Sequence, residues 1–241
     1  METKLCYIHL GLVNYQTGLI YQQQARELVE KGIWDGIILF LEHTPVITIG
    51  MHGGNQHLLA APQWLQTHHV EVVHTNRGGD ITCHNPGQLV CYPVLNLKKW
   101  KTDVHWYVRQ LENCIIQTLK DFHITAGRKA VYTGVWTGNR KIAALGIGVK
   151  RWITYHGTAL NITNDLDLFS RIIPCGITEF GVTSMTKEGC LTTPDEVIPH
   201  MMHHFSTLFT PTLSCIYTDW SELYGRTSTQ ETNMAQAACM Q

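Results

Sequence analysis

The chain has 241 residues, 44% of them hydrophobic and 15% charged, with a formal net charge of −1. That length supports one sizeable core and does not require two domains. The near-neutral balance speaks against nucleic acid or an anionic membrane as the main partner.

The eight cysteines include no C-x-x-C pair, which argues against a zinc ribbon or a redox motif. The opening METKLCYIHLGL carries His9 and no small-residue cleavage site, so it does not read as a signal peptide. The longest clean apolar run, Ile37 to Leu41, is far too short for a membrane span. A cytoplasmic location is therefore expected, with reduced thiols that serve as small hydrophobes or as nucleophiles.

In chain order, Leu5–Leu10 reads as a first strand. Asn14 can cap a helix from Tyr15 to Lys31 that stops at Gly32. Gly36–Leu41 is continuously apolar, hence a central strand, and Val46–Ile49 follows the turn at Thr44-Pro45. A short helix over Pro62–His69 leads to a strand over Val70–Thr75. Thr102-Asp103 can cap the next helix, where Val104, Tyr107, Val108, Leu111, Cys114, Ile115 and Leu119 recur on one face. From Ala130 to Asn161 the pattern becomes a strand meander. Gly138-Asn139 turns between Gly134–Thr137 and Lys141–Lys150, and Trp152–Asn161 pairs next. Asp165–Ile173 reads as a helix stopped by Pro174, and Pro194–Phe209 as another with Val197, Met201, Phe205 and Leu208 inward. This order fits one α+β domain on a mixed sheet, residues 1–224, with 225–241 as a loose polar tail.

One stretch stands apart, Arg77 to Pro93, RGGDITCHNPGQLVCYP. Gly78, Gly79 and Gly87 bare the backbone for a ligand, Arg77 brings a planar fork of donors, and His84 adds a titratable ring. After the Pro86-Gly87 turn, Gln88–Pro93 reads as an apolar strand, so a polar binding loop sits on a rigid support. Cys175, in Pro174-Cys175-Gly176-Ile177, lies on a sharp turn where the Gly176 amide can face a developing oxyanion. A packed core thiol explains Cys175 equally well. Lys141 begins an otherwise apolar strand and is a candidate base if desolvated, or a solvated strand end beside Arg140. Gly146, Gly148 and Gly157 suggest backbone near a ligand or merely close strand packing. His43 could line a pocket or cap a strand end. His68, His69 and His74 diverge, and His200, His203 and His204 have no acidic partner within their turn, so they read as a solvated face and no metal site is assigned. Walker, Rossmann and G-x-S-x-G patterns are missing.

Three of these segments together resemble one family, the lipoate-pathway octanoyltransferases, or lipoyl protein ligase B enzymes. Arg77–Pro93 is similar to their R-G-G-x-x-T-aromatic-H-G-P-G-Q-L-V-x-Y-P signature, and Lys141–Gly148 to their lysine strand. Pro174–Ile177 with Gly181–Met185 resembles their nucleophile segment. The resemblance implies the biotin/lipoate ligase catalytic fold and transfer of octanoyl from acyl carrier protein to a lysine. The acceptors would be lipoyl domains of 2-oxoacid dehydrogenase E2 subunits and the glycine cleavage H protein. It implies Cys175 as thioester carrier and Lys141 as its proton partner. Arg77, Gly78, Gly79, Asp80, Ile81, Thr82, Cys83 and His84, with Ala144, Leu145, Gly146, Gly157, Thr158 and Ala159, would hold the acyl substrate. Arg77 would face the carrier's phosphopantetheine or acidic surface. No cofactor is implied, because thioester-to-amide transfer runs downhill without ATP, and a monomer is expected.

Cys83 replaces the family's aromatic residue, which puts the acyl pocket's shape in question; Asn85 replaces its glycine, and because Asn tolerates positive φ the turn before Pro86 can survive. Other readings are an ATP-dependent lipoate ligase on the same fold, a non-catalytic octanoyl or lipoyl binder, and a cysteine hydrolase.

Overall fold

The computed structural model describes residues 3–173, 180–217 and 219–225. The chain opens with β1 (Lys4–Val13), α1 (Tyr15–Glu30), β2 (Gly36–His43), β3 (Val46–Ile49), α2 (Pro62–Thr67) and β4 (Glu71–His74). There follow β5 (Ile81–His84), β6 (Gln88–Leu95), α3 (Val104–Asp121), β7 (Val135–Thr137), β8 (Arg140–Lys150) and β9 (Ile153–Asn161). The described chain closes with β10 (Gly181–Val182), α4 (Pro194–Phe209), β11 (Leu213–Tyr217) and α5 (Trp220–Gly225).

The main sheet runs β10-β8-β9-β6-β2-β1-β11, with β7 added to β8. β1 lies parallel to both β2 and β11, whereas β2, β6, β9 and β8 pair antiparallel in turn. This is the mixed-sheet α+β architecture expected. α3 and α4 cover one face through Tyr107, Leu111, Phe205 and Phe209 against Tyr7, Phe40 and Leu89. α1 covers the other through Ala25 and Leu28 against Ile8, Ile37, Leu39 and Val90. β2 is buried on both faces, which explains its unbroken apolar run.

The helix starts follow the capping residues. Asn14 accepts from the Thr17 amide at 2.8 Å, and Asp103 from the Trp106 amide at 2.9 Å. Thr193 and Glu196 cap each other's backbone at the start of α4. Gly138-Asn139 turns between β7 and β8 as expected, with Gly138 at φ +55°.

Several expectations need correction. β3 leaves the main sheet and forms a second one, β4-β3-β5, so the final four residues of the expected Arg77–His84 loop are a strand. Asp165–Ile173 is no α-helix; only a 3-10 turn forms, Asp167–Arg171, and its Leu168 and Phe169 pack under the small sheet. β11 and α5 were not anticipated. His200 and His204 share the Asp121 carboxylate of α3 at 2.9 and 2.8 Å, so an acid from a neighbouring helix serves a face read as solvated. Cys215 is disulfide-bonded, against the expectation of reduced thiols throughout. Among the described residues no helix is long and apolar enough to cross a membrane. The expected tail beyond Gly225 lies outside the described residues.

Candidate active site

The small sheet holds the glycine-rich loop against the edge of the large one. Gly50 N–H donates to the Asp80 carbonyl at 2.9 Å, Met51 N–H to Arg77 at 3.0 Å and His52 N–H to Gly79 at 3.1 Å. Gly79 sits at φ +85°, in the region that favours glycine. Gly78 N–H then donates across to the Ile147 carbonyl of β8 at 2.8 Å, tying the loop to the main sheet. A Cβ at Gly146 would come within 2.8 Å of the Gly78 carbonyl oxygen, and one at Gly157 would collide with the Cys91 carbonyl. Both strand glycines thus answer to close backbone approach.

Arg77 is buried and lines the cavity between the two sheets. Its Nη2 donates to the Thr48 carbonyl at 2.7 Å and its Nε to Thr48 Oγ1 at 3.1 Å, while Nη1 donates to Gly78 O at 3.1 Å. The fork therefore staples β3 to the loop and offers one flank to the cavity beside it.

That cavity is lined by Arg77, Gly79, Thr82 and His84 on the small-sheet side. Ala144, Leu145, Gly146, Gly157, Thr158 and Ala159 line it on the main sheet. Of the expected substrate-holding residues, Gly78 is occupied with Ile147, and three others point elsewhere. Asp80 turns to His57, with Oδ2 2.5 Å from Nδ1. Ile81 and Cys83 enter the apolar cluster beneath the small sheet. Cys83 is fully buried there and burial pushes its thiol well up, so it neither shapes the cavity nor competes as a nucleophile. Asn85 is not in the left-handed region, so no glycine-like tolerance is invoked; its amide donates to the Asp165 carbonyl at 2.8 Å.

Tyr15, Tyr92 and His156 also line the cavity and were not assigned from sequence. Tyr15 is the first residue of α1, where a helix-start reading gave no hint of it. Its ring lies near-parallel to that of His84, centroids 6.2 Å apart, and its hydroxyl donates to Thr75 Oγ1 at 3.2 Å. Behind the wall, His43 Nδ1–H donates to the Val13 carbonyl at 3.0 Å, so Nε2 accepts the Tyr92 hydroxyl at 2.8 Å. His84 Nδ1–H donates to Gln88 Oε1 at 2.6 Å, and Gln88 Nε2 donates on to Asn161 at 2.8 Å. His156 Nε2–H donates to Asn76 Oδ1 at 2.8 Å, leaving Nδ1 buried without a partner.

Burial lowers all three rings. His43 falls to about 4; His84, aided by His43 and Arg77, and His156, aided by Arg77 and Arg26, fall to about 3. His84 is thus a neutral hydrogen-bonding ring near neutrality rather than the titrating group expected.

Lys141 is buried near the start of β8, three positions before Ala144 on the same strand. Its Nζ lies 4.9 Å from the centre of the Trp136 ring. Gly134, at φ +139°, crosses beside it, so that a Cβ there would lie 3.2 Å from Lys141 Cε. Val182 of β10 pairs with Lys141, and the Thr183 amide donates to the Lys141 carbonyl at 3.0 Å. Cys175, with Pro174, Gly176 and Ile177, lies outside the described residues. Its described neighbours are fixed: Ile173 N–H donates to His57 O at 2.8 Å, and the Phe180 ring lies 5.6 Å from that of Trp136.

Comparison with known proteins fits this arrangement. Residues 14–206 match the lipoyl protein ligase A/B catalytic domain. An octanoyltransferase of Clostridium kluyveri is 45% identical over 206 residues, 85% of this chain and 88% of that protein. One from Thermoanaerobacter sp. is 48% identical over 202 residues, 84% of this chain and 89% of that protein. Among solved structures, lipoate-protein ligase A bound with ATP superposes with a TM-score of 0.69 at 18% identity, covering 98% of this chain and 99% of that one. That likeness speaks for the fold alone. The chain belongs to the lipoyl protein ligase A/B catalytic-domain family, on its octanoyltransferase branch, and is an acyltransferase.

Proposed function

We propose that this acyltransferase moves an octanoyl group from acyl carrier protein to the ε-amine of a lysine on lipoyl domains. The acceptors are those of 2-oxoacid dehydrogenase E2 subunits and the glycine cleavage H protein. In the first half-reaction the Cys175 thiolate attacks the donor's thioester carbonyl; the carrier's thiol leaves with a proton, and the octanoyl group stays on sulfur. In the second, the neutral lysine amine attacks that thioester, an amide forms, the bond to sulfur breaks, and the proton lost by the amine passes to Lys141 or to the departing Cys175 sulfur. Lys141 takes the thiol proton when neutral or steadies the thiolate as an ammonium, the two groups titrating as a pair.

One observation carries the reading. The Ala144–Gly146 wall of a slot lined by glycine and alanine lies on the strand that presents Lys141, about 10 Å along it at the usual rise per residue. An unbranched acyl chain needs such a slot, and an acyl-transferring thiol needs such an amine. Arg77, Gly79, Thr82, His84, Leu145 and Gly157–Ala159 would then bound the chain, with Tyr15 and Tyr92 at its walls.

Incubation with octanoyl carrier protein followed by intact-mass measurement tests this. Wild-type protein is expected to gain one octanoyl group, mapped by peptide digestion to Cys175, and Cys175→Ser is expected to gain none. Full turnover of Cys175→Ser with a requirement for ATP would identify a ligase instead.

A further inference from the structure

A second cavity, of about 260 Å³, opens beside the Lys141 strand and takes no part in the arrangement above. One wall is the first turns of α3, with Val108 and Arg109; another is the 129–133 strap, with Lys129 and Tyr132; Ile147 of β8 closes it. Ile147 is also the residue whose carbonyl holds Gly78, and it follows Gly146 of the acyl slot directly on β8. The route toward Lys141 is aromatic. Lys129 Nζ lies 4.3 Å from the Phe180 ring centre and 5.4 Å from that of Trp136, the ring against which Lys141 rests at 4.9 Å. The two amines are therefore within about 10 Å of each other, the sum of their distances to that ring.

The charge around the cavity is unbalanced. Arg109 and Arg128 both reach Glu112 Oε2 at 2.7 Å, and Lys129 bonds only the neutral Asn139 oxygen at 2.9 Å among the described hydrogen bonds. Two lining cations, Arg109 and Lys129, thus stand against one lining carboxylate, Glu112, which Arg128 also neutralises, and Val108, Val131 and Ile147 supply apolar wall. A ligand suited to it has an apolar middle and a phosphate end.

We propose that this cavity binds the phosphate-bearing pantetheine arm of the acyl donor, with Lys129 and Arg109 at the phosphate and the branched apolar part of the arm against Val108 and Ile147. This rests on the transferase reading, and it moves phosphate recognition from Arg77, which is committed to Thr48, to the α3 side of β8.

The test compares octanoyl-4′-phosphopantetheine with octanoyl-pantetheine as donors, in transfer to a lipoyl domain. Wild-type protein is expected to show the lower KM for the phosphorylated donor. Lys129→Met, which keeps the stem over the rings, should raise that KM roughly tenfold or more, the scale of a lost charge-assisted contact, with kcat and the KM for octanoyl-pantetheine unchanged. Arg109→Gln should act alike, and Lys129→Met stands alone if freeing Glu112 unfolds the other. Equal effects on both donors, no phosphate preference in the wild type, or a KM change confined to intact carrier protein would overturn the proposal. Absence of octanoyl transfer from every donor by the wild type would instead remove the reading beneath it.

Discussion

The carbonyl oxygen of Gly78 lies so close over Gly146 that a methyl group there would stand 2.8 Å from it and 3.1 Å from Arg77 Cδ. Both obstacles belong to a loop tied down at Ile147 and across the small sheet, so neither can swing aside as a free side-chain end would. Gly146→Ala should therefore push the loop off β8. The expected cost is about 1–3 kcal/mol, a fall of several degrees in Tm for a chain of this size. The KM for the octanoyl donor should rise with it. An unchanged melting temperature together with an unchanged KM would show that the loop is not held against the strand.

Arg77 gives a second prediction. Its fork meets Thr48 through both Nε and Nη2, a geometry that an ammonium cannot reproduce. Arg77→Lys should be nearly as damaging as Arg77→Ala, each losing on the order of 1.5–3 kcal/mol by loosening the loop. A surface contact with the carrier would behave differently: lysine would rescue binding, and stability would not move. Denaturant melts of the two variants, set beside donor KM, separate these outcomes.

The elements legible in the sequence are those whose signal is local. Asn14 and Asp103 mark their helices because a cap needs only the next three residues, and the β2 run shows because burial on both faces leaves no polar position. The small sheet was hidden because Ile81–His84 is recognisable as a strand only through its pairing with Val46–Ile49, more than thirty positions away. β11 likewise depends on β1, at the opposite end of the chain. In the site, the Arg77 motif and the small residues of β8 and β9 were visible as residue types. Which way each side chain points was not. Thr82 and His84 face the cavity while Ile81 and Cys83 face the apolar cluster, a split set by the alternation of a strand that had read as a loop. Tyr15 carries no motif, and Tyr92, although it is the tyrosine of the Arg77–Pro93 signature, lies on a strand that read only as apolar support; both reach the site through the packing of α1 and β6.

The buried imidazoles set the acid limit of the fold. His43, His84 and His156 are held near 4, 3 and 3 when folded, and an unfolded histidine titrates near 6.5. Between these values the unfolded chain binds more protons, so stability rises with pH through that window. It is fully present above about 6.5 and is lost as pH falls toward the folded values, at roughly 1.4 kcal/mol per pH unit for each ring. Tm is expected to drop steeply from pH 6.5 to 4.5 and to stay level from 6.5 to 8. His84→Gln should flatten the acid limb. A Tm independent of pH below 6 would mean that the rings are not buried as neutral groups.

Glu112 supplies the last prediction, because its carboxylate reaches the Lys141 neighbourhood through the backbone of Gly134. Oε2 receives Arg109 and Arg128, while Oε1 accepts the amide of Gly134 at 3.2 Å, and Gly134 is the residue whose backbone passes beside Lys141 Cε. Glu112→Gln keeps an oxygen for the Gly134 amide and loses the charge; Glu112→Ala loses both. If the carboxylate matters mainly as the anchor of that strap, acylation by octanoyl carrier protein should slow about tenfold in the alanine variant and little in the glutamine one. Lys141→Ala should slow the same step further while leaving donor binding near the wild-type level, since the amine is not part of the slot wall. The Arg partners are partly exposed and can return to water, so the stability cost of Glu112→Ala should stay near 1–3 kcal/mol. Single-turnover acylation measured across the three variants decides the matter, and equal rates for glutamine and alanine at position 112 would assign the effect to charge instead of to the strap.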